Sequence, residues 1–205
     1  TAMLFGQRVL FVSLEVPGNE INHKFEHRLF RRSFLDLDPG RATKMMENLR
    51  GLGADLRIFG GRPNSLTIPE LDEMVDEYRP DLLLVDYADI LKPSTKHTEF
   101  RHTISELYLE LKAIAEKYRA ATWTVSLANR KGVGRKVIRE DNAGEDFRKI
   151  AHCDHMVSIN QTEEEADANV ARLVMVANRW GPQNGVVYVE IDYSTMTVRE
   201  INMEV

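Results

Sequence analysis

The sequence predicts an α/β protein with a mostly parallel sheet, helices on both faces of that sheet, and an antiparallel extension at the C-terminal end. Short apolar runs alternate with helical patterns along the first three quarters of the chain, as in βαβ units that build a parallel sheet. The last three apolar runs are separated only by turn signals, which favours antiparallel strands. Three of the earlier runs end on polar residues, as expected where strands lead into a ligand site.

Eight short segments have the apolar content and the bordering turn residues of β-strands. The clearest is Leu82 to Val85, four apolar residues in a row, as in a strand that is buried on both faces. Turn signals separate the last three, at Gly181-Pro182, Asn184-Gly185 and Ser194-Thr195. In chain order, the predicted strands span 8–14, 54–61, 82–86, 121–127, 155–160, 171–179, 185–193 and 197–203.

Helical periodicity and end signals predict five helices between these strands. The helix over 67–79 begins at Thr67, with Glu70 at the spacing of a capping box, and ends before Pro80. One of the others lies in the segment 16–35, where Pro17 and Gly18 separate it from the preceding strand. The remaining three span 39–53, 99–119 and 143–152. The acidic segment 161–169 is predicted to be a solvated loop.

The composition is that of an ordinary globular protein and excludes several functional classes. A length of 205 residues suits one well-cored domain, so we interpret residues 1–205 as a single domain. The net charge of −5 argues against a uniformly basic nucleic-acid binder and leaves room for a local basic loop. The single cysteine, Cys153, excludes an internal disulfide framework and favours a reducing compartment, so we expect a cytoplasmic protein. No apolar run approaches the ~20 residues that span a bilayer, and we expect no membrane association.

Polar residues at three strand ends predict a site at one edge of the sheet. Asp86 ends one strand and Glu15 closes another, while Ser126 and Asn129 lie at the end of a third. Because ligands bind outside the carboxyl ends of parallel strands, these groups are candidates to hold a polyphosphate and Mg²⁺. For each acid taken alone, capping of the following helix or turn is the competing explanation.

Four segments resemble the RecA-type ATPase core, and within it the DnaB-type replicative helicase family. The strand "RVLFVSLE" is similar to that family's strand ending in Ser-Leu-Glu, and "LLLVDYADIL" is similar to its Walker B strand. The helix and strand in "ISELYLELKAIAEKYRAATWTVSLANR" resemble the family's sensor segment, and "RWGPQNG" resembles its Arg-x-Gly-Pro-x-Gly turn. The similarity runs from about residue 8 to residue 200, nearly the whole chain.

The resemblance implies a role for each candidate residue. Glu15 would activate the attacking water, Asp86 would be the Mg²⁺-side carboxylate, and Arg179 would be an arginine finger for a neighbouring subunit's nucleotide. Phosphoryl transfer needs one group of each kind. The implied cofactors are ATP and Mg²⁺, with Ser126 and Asn129 among the nucleotide-binding residues, and the implied assembly is a hexameric ring.

A basic segment follows the third strand and contains Arg130, Lys131, Arg135, Lys136 and Arg139. In the family the corresponding loop holds the backbone of single-stranded DNA, and cationic loops do so through phosphate contacts that weaken with salt. A solvated surface loop is the alternative explanation. A second contact is predicted after the Walker B strand, at Lys92, Lys96 and Arg101. The resemblance also implies a primase or a helicase loader as a partner.

The sequence departs from the family at three places. No Gly-x-x-x-x-Gly-Lys-Ser/Thr occurs, and in the family this phosphate-cradling loop precedes the position where the chain starts. We therefore expect a functional protein with an upstream segment, and we expect the 205 residues alone to be inactive. Leu127 stands where the family has a polar γ-phosphate sensor, and Ala177 replaces a lysine near the finger.

The sequence therefore favours the motor domain of a ring-forming replicative helicase that hydrolyses ATP and translocates on single-stranded DNA. Two alternatives stay open. One is a recombinase-type or clock-type RecA relative that acts on another partner. The other is a non-catalytic RecA-fold module that assembles with or loads a helicase, which the missing phosphate loop and Leu127 favour.

Overall fold

A computed structural model of the chain describes residues 2–30, 39–94, 100–127, 148–183 and 185–202. The chain forms two compact units, Thr1–Ser126 and Leu127–Val205. The interpretation of residues 1–205 as one domain stays a prediction. Among the described residues, no helix combines the length and apolar character that a membrane crossing requires.

The first unit is built on a parallel sheet with the strand order β2-β1-β3-β4. Its strands are β1 (Arg8–Ser13), β2 (Asp55–Gly60), β3 (Leu82–Asp86) and β4 (Ala121–Thr124). Its helices are α1 (Gly18–Phe30), α2 (Pro39–Gly51), α3 (Ile68–Tyr78) and α4 (Phe100–Tyr118), and two short 3₁₀ helices span Ala2–Phe5 and Ala88–Ile90. All eight elements that the sequence analysis placed before residue 127 are present.

Helices cover both faces of this sheet because side chains alternate across each strand. On one face Val9 of β1 packs in a core with Met3 and with Leu49 of α2. On the other face Arg8 and Arg57 lie over the ring of Tyr78 in α3, with guanidinium carbons 4.6 and 4.4 Å from the ring centroid. The predicted parallel sheet with helices on both faces is confirmed.

The predicted capping box of α3 is present. The Thr67 hydroxyl accepts a hydrogen bond from the Glu70 amide at 3.4 Å, and the Glu70 carboxylate accepts one from the Thr67 amide at 2.7 Å. Hydrogen bonds from Thr67 lower the pKa of Glu70. The helix ends at Arg79, which adopts a left-handed conformation with φ of 52° directly before Pro80.

The second unit is built on an antiparallel sheet with the strand order β5-β6-β7-β8. Its strands are β5 (His155–Asn160), β6 (Val170–Asn178), β7 (Val186–Asp192) and β8 (Thr197–Ile201), and its helices are α5 (Arg148–His152) and α6 (Glu163–Asp167). The predicted antiparallel extension is confirmed. It contains four strands instead of three, because β5 pairs antiparallel with β6.

The prediction of a solvated loop over 161–169 was wrong, because a short helix, α6, occupies most of it. Thr162 and Glu165 form a second capping box at the N-terminus of α6. The Glu165 carboxylate also pairs with the guanidinium of Arg172 on β6, with an Nε to Oε1 distance of 2.7 Å. The tertiary ion pair stabilises a helix that is too short to form alone.

Candidate functional site

The strand register places three predicted site residues at one edge of the parallel sheet. Ser13 of β1 lies opposite Asp86 of β3, and Val85 lies opposite Thr124 of β4. Glu15 and Ser126 each follow two residues after these positions. Parallel strands have all their carboxyl ends on the same side, so Glu15, Asp86 and Ser126 share the edge where ligands bind in such sheets.

Asp86 lies at the end of the central strand pair. It is half-buried at the end of β3, and its main-chain carbonyl accepts a hydrogen bond from the Leu14 amide at 2.8 Å. The Asp86–Tyr87 peptide bond is cis. Within the described residues, no hydrogen bond or ion pair involves the Asp86 carboxylate. Because no described group neutralises this half-buried carboxylate, Asp86 is a candidate ligand for a bound cation.

Glu15 lies in a turn that a buried hydroxyl closes. Ser13 is 0% exposed, and its Oγ donates to the Val16 carbonyl at 2.7 Å and accepts from the Val16 amide at 3.2 Å. Glu15 itself is exposed, and no hydrogen bond or ion pair of its carboxylate is present within the part of the chain that the structure describes. The competing explanation, in which Glu15 caps the following helix, has no support among these contacts.

A second hydroxyl joins β4 to the segment around Asp86. Thr124 Oγ1 donates to the Val85 carbonyl at 2.8 Å and accepts from the Ala88 amide at 2.9 Å. The sequence analysis named neither Ser13 nor Thr124. The only signal for them was a hydroxyl residue in each of two apolar strand runs, close to the strand end.

Ser126 is half-buried beside Leu127, which is 64% exposed. Asn129 and all five basic loop residues lie outside the described residues, as does Lys96. Lys92 is exposed, and its amide donates to the Leu66 carbonyl at 2.8 Å. The DNA-binding role of this segment therefore stays a prediction.

Arg179 lies in the second unit, at the start of the turn between β6 and β7. Its Nη1 is 3.1 Å from Oδ1 of Asp154, its Nη2 donates to the Ala151 carbonyl at 3.1 Å, and its amide donates to the Asp154 carbonyl at 2.9 Å. The Asn178 side chain closes the turn by bonding the Trp180 amide and the Pro182 carbonyl, both at 3.1 Å. These contacts hold the Arg179 guanidinium in place, and the Arg179 side chain is still 42% exposed.

The donor set at Asp86 fits Mg²⁺ that is bound together with a nucleotide. Among the described residues, no group of three or more His, Cys, Asp or Glu side chains could hold a metal ion without other ligands. Mg²⁺ is usually held by one or two carboxylates, with the substrate phosphates and water completing the shell. One half-buried carboxylate at a strand end meets that requirement.

Known proteins resemble this chain in sequence and in fold. No family profile matches the chain. The chain is 21% identical over 201 aligned positions to a protein described as "DnaB-like replicative helicase" from Enterobacteria phage T4, covering 87% of this chain and 41% of that protein. The chain thus spans about two fifths of the length of this relative.

Two solved structures have a similar fold, each at 15% sequence identity and over 97% of this chain. One is the "ATPase Domain of G40P", with a TM-score of 0.77 and 75% of that chain covered. The other, with a TM-score of 0.76 and 51% covered, is described as "The Structure Of A DnaB-Like Replicative Helicase And Its Interactions With Primase". The chain is thus similar to the phage protein over most of its own length, and it shares the fold of the two solved ATPase and helicase structures.

Proposed function

We propose that this chain is the motor domain of a ring-forming, ATP-dependent replicative DNA helicase that translocates on single-stranded DNA. The observation that carries the proposal is the position of Glu15 and Asp86. Both carboxylates lie at the carboxyl edge of adjacent parallel strands, and neither has a described partner. The similarity to a phage replicative helicase supports the choice of this function over other uses of the fold.

Each residue has a defined task in this proposal. Bound Mg²⁺·ATP supplies the phosphoryl group, whose transfer depends on positioning and charge neutralisation. Asp86 offers an oxygen ligand on the metal side. Glu15, exposed in the Ser13–Val16 turn, orients a water molecule and accepts its proton. Ser126 and Asn129 contact the nucleotide.

Arg179 provides the cation for the charge that develops during transfer. Its attachment to Asp154 leaves part of the guanidinium exposed, as a contact with a second copy of the chain requires. An arginine supplied in trans makes hydrolysis depend on assembly, which agrees with a hexameric ring. The basic residues Arg135 and Lys136, with their neighbours, hold the DNA backbone, and a primase or a helicase loader is a further partner.

A second candidate is a non-catalytic RecA-fold module that assembles with a helicase. One observation favours it: the exposed Leu127 occupies the position where the resemblance implies a polar γ-phosphate sensor. The two candidates differ in whether the site binds and turns over ATP.

The test uses protein expressed from the whole natural reading frame. Calorimetry measures Mg²⁺·ATP binding, and phosphate release is measured with and without single-stranded DNA. Glu15→Gln should retain nucleotide affinity and lose at least about a hundredfold in turnover, because a general base typically contributes that much. Glu20→Gln, an exposed acid in the first turn of α1, is the matched control and should behave as wild type. Equal turnover in wild type and Glu15→Gln would refute the catalytic assignment, and absence of nucleotide binding in the wild type would favour the second candidate.

The DNA contact is tested in the same protein with Arg135 and Lys136 both replaced by alanine. Single-strand affinity should fall, and the slope of log affinity against log salt should flatten by about 1.4, since each phosphate contact contributes about 0.7. The control replaces the exposed Lys24 and Lys44 on α1 and α2. An unchanged slope in the loop variant would remove the loop from the DNA path.

A further inference from the structure

We propose that Thr124 is a positioning residue that holds Asp86 in the orientation needed to bind the nucleotide's metal ion. This inference rests on the proposed function, because it gives Asp86 the metal-side role. Thr124 does not contact the ligand in this proposal. Its hydroxyl acts on the main chain on both sides of Asp86.

Two hydrogen bonds of one hydroxyl bracket Asp86. Thr124 Oγ1 donates to the carbonyl of Val85, the residue before Asp86, at 2.8 Å. The same oxygen accepts from the amide of Ala88, two residues after Asp86, at 2.9 Å. A hydroxyl has one proton and two lone pairs, so it can make both bonds at once. A longer approach to the Val125 carbonyl, at 3.4 Å, competes weakly for the proton.

These two hydrogen bonds of Thr124 take the place of main-chain hydrogen bonds where β3 and β4 stop pairing. The β3–β4 ladder stops at the pair Val85 and Thr124. Ala88 begins a 3₁₀ helix, and the first amides of a helix have no partner within it. The Thr124 oxygen supplies that partner, so the turn between the end of β3 and the 3₁₀ helix is fixed to β4.

A second anchor lies on the other side of the same turn. The hydroxyl of Tyr108 in α4 donates to Oδ1 of Asp89 at 2.9 Å. Ala88 is 0% exposed and Tyr108 is 5% exposed, and their partners Thr124 and Asp89 are half-buried, so both attachments are partly buried. Asp86 thus lies at the start of a segment that is fixed to β4 and to α4. The carboxylate itself takes part in neither attachment, and it stays open to a ligand at the edge of the sheet.

The decisive comparison uses four variants of the protein expressed from its whole natural reading frame, and one of them, Asp86→Asn, removes the charge of the proposed metal ligand. Thr124→Val keeps the shape and removes the hydroxyl, and Thr124→Ser keeps the hydroxyl. Thr122→Val is the matched control, because Thr122 is also a half-buried threonine of β4. Its hydroxyl donates at 3.3 Å to the carbonyl of Ala120, the residue just before β4, and within the described residues it has no bond to the segment around Asp86. Thr124→Ala replaces Thr124→Val if the latter does not fold, as judged by its melting curve.

Two measurements separate positioning from general stability. Amide hydrogen exchange at Ala88, followed by NMR without nucleotide, should become about tenfold faster in Thr124→Val, as expected for one lost hydrogen bond. Calorimetry with a non-hydrolysable ATP analogue gives the ratio of affinities with and without Mg²⁺. That ratio should fall about tenfold in Thr124→Val, and affinity without Mg²⁺ should stay constant. Thr124→Ser and Thr122→Val should match the wild type in both.

The outcomes distinguish this inference from the proposed function. If the wild type shows no Mg²⁺-dependent affinity, or Asp86→Asn leaves it unchanged, the metal role of Asp86 is refuted and the inference with it. If Asp86→Asn abolishes the Mg²⁺ dependence and Thr124→Val retains it, only the positioning role is overturned. An equal loss in Thr124→Val and Thr124→Ser would also overturn it, because the hydroxyl would then not be the cause.

Discussion

Replacing Ser13 by alanine removes the buried hydroxyl that closes the turn around Glu15. The wild-type Oγ makes two hydrogen bonds to Val16, at 2.7 and 3.2 Å, and Ser13 is 0% exposed. A typical intramolecular hydrogen bond contributes about 1 kcal/mol net. Because Val16 is half-buried and its main-chain groups can regain some contact with water, we expect the free energy of unfolding to fall by about 1–2 kcal/mol.

Urea denaturation followed by circular dichroism measures this change. With a slope of about 2 kcal/mol/M, the midpoint should fall by about 0.5–1 M and the slope should not change. Ser65→Ala is the control, since the Ser65 hydroxyl accepts from the Arg62 amide at 2.9 Å in an exposed turn and its loss should cost less than about 0.5 kcal/mol. In protein from the whole reading frame, Ser13→Ala should also lower ATP turnover more than ATP affinity, because Glu15 loses its fixed position. Equal midpoints for Ser13→Ala and the wild type would refute the reasoning.

Two further predictions concern the second unit. Arg172→Met should lower the free energy of unfolding, measured by urea denaturation, by about 2 kcal/mol or more, because the mostly buried Glu165 carboxylate loses its cation. Adding Glu165→Gln to this variant should recover part of the lost stability. Hydrogen bonds from Ser194 and Thr195 lower the pKa of Asp192 to about 2. A folded-state pKa below the unfolded value of ~3.9 stabilises the fold above about pH 4, and this contribution is lost as the pH falls toward about 2. NMR titration should find that the Asp192 carboxyl titrates in that range. Asp192→Asn should weaken the dependence of the free energy of unfolding on pH in the acid range. A carboxyl that titrates near its ordinary value would contradict the prediction.

The strands and the acids at their ends could be predicted because their signals are local. Four apolar residues followed directly by Asp86 predict both a buried strand and its end. The capping box at Thr67 and Glu70 is likewise contained in four consecutive residues, and the structure contains both of its hydrogen bonds. The same signal was present at Thr162 and Glu165, but the run of acids around it suggested a solvated loop.

The supporting contacts could not be predicted because they join residues far apart in the chain. The Thr124 hydroxyl reaches Ala88 across 36 positions and Val85 across 39. The direction of β5 depends on its pairing with β6, since neither its length nor its composition distinguishes a parallel from an antiparallel neighbour. The partner of Glu165 is Arg172, seven positions away across the start of β6.

Four acids in the described part of the chain divide into two groups by what their carboxylates contact, and the division bears on the proposed function. Glu70 and Glu165 use their carboxylates in capping boxes, and Glu165 also pairs with Arg172, so both are committed to structure. At the carboxyl edge of the parallel sheet, neutral groups provide the structural contacts instead, because the hydroxyls of Ser13 and Thr124 form hydrogen bonds with the main chain. Within the described residues, the carboxylates of Glu15 and Asp86 take no part in that support. A strand end that is fixed by neutral groups keeps its negative charges available, and this arrangement supports the roles proposed for Asp86 toward a metal ion and for Glu15 toward a water molecule.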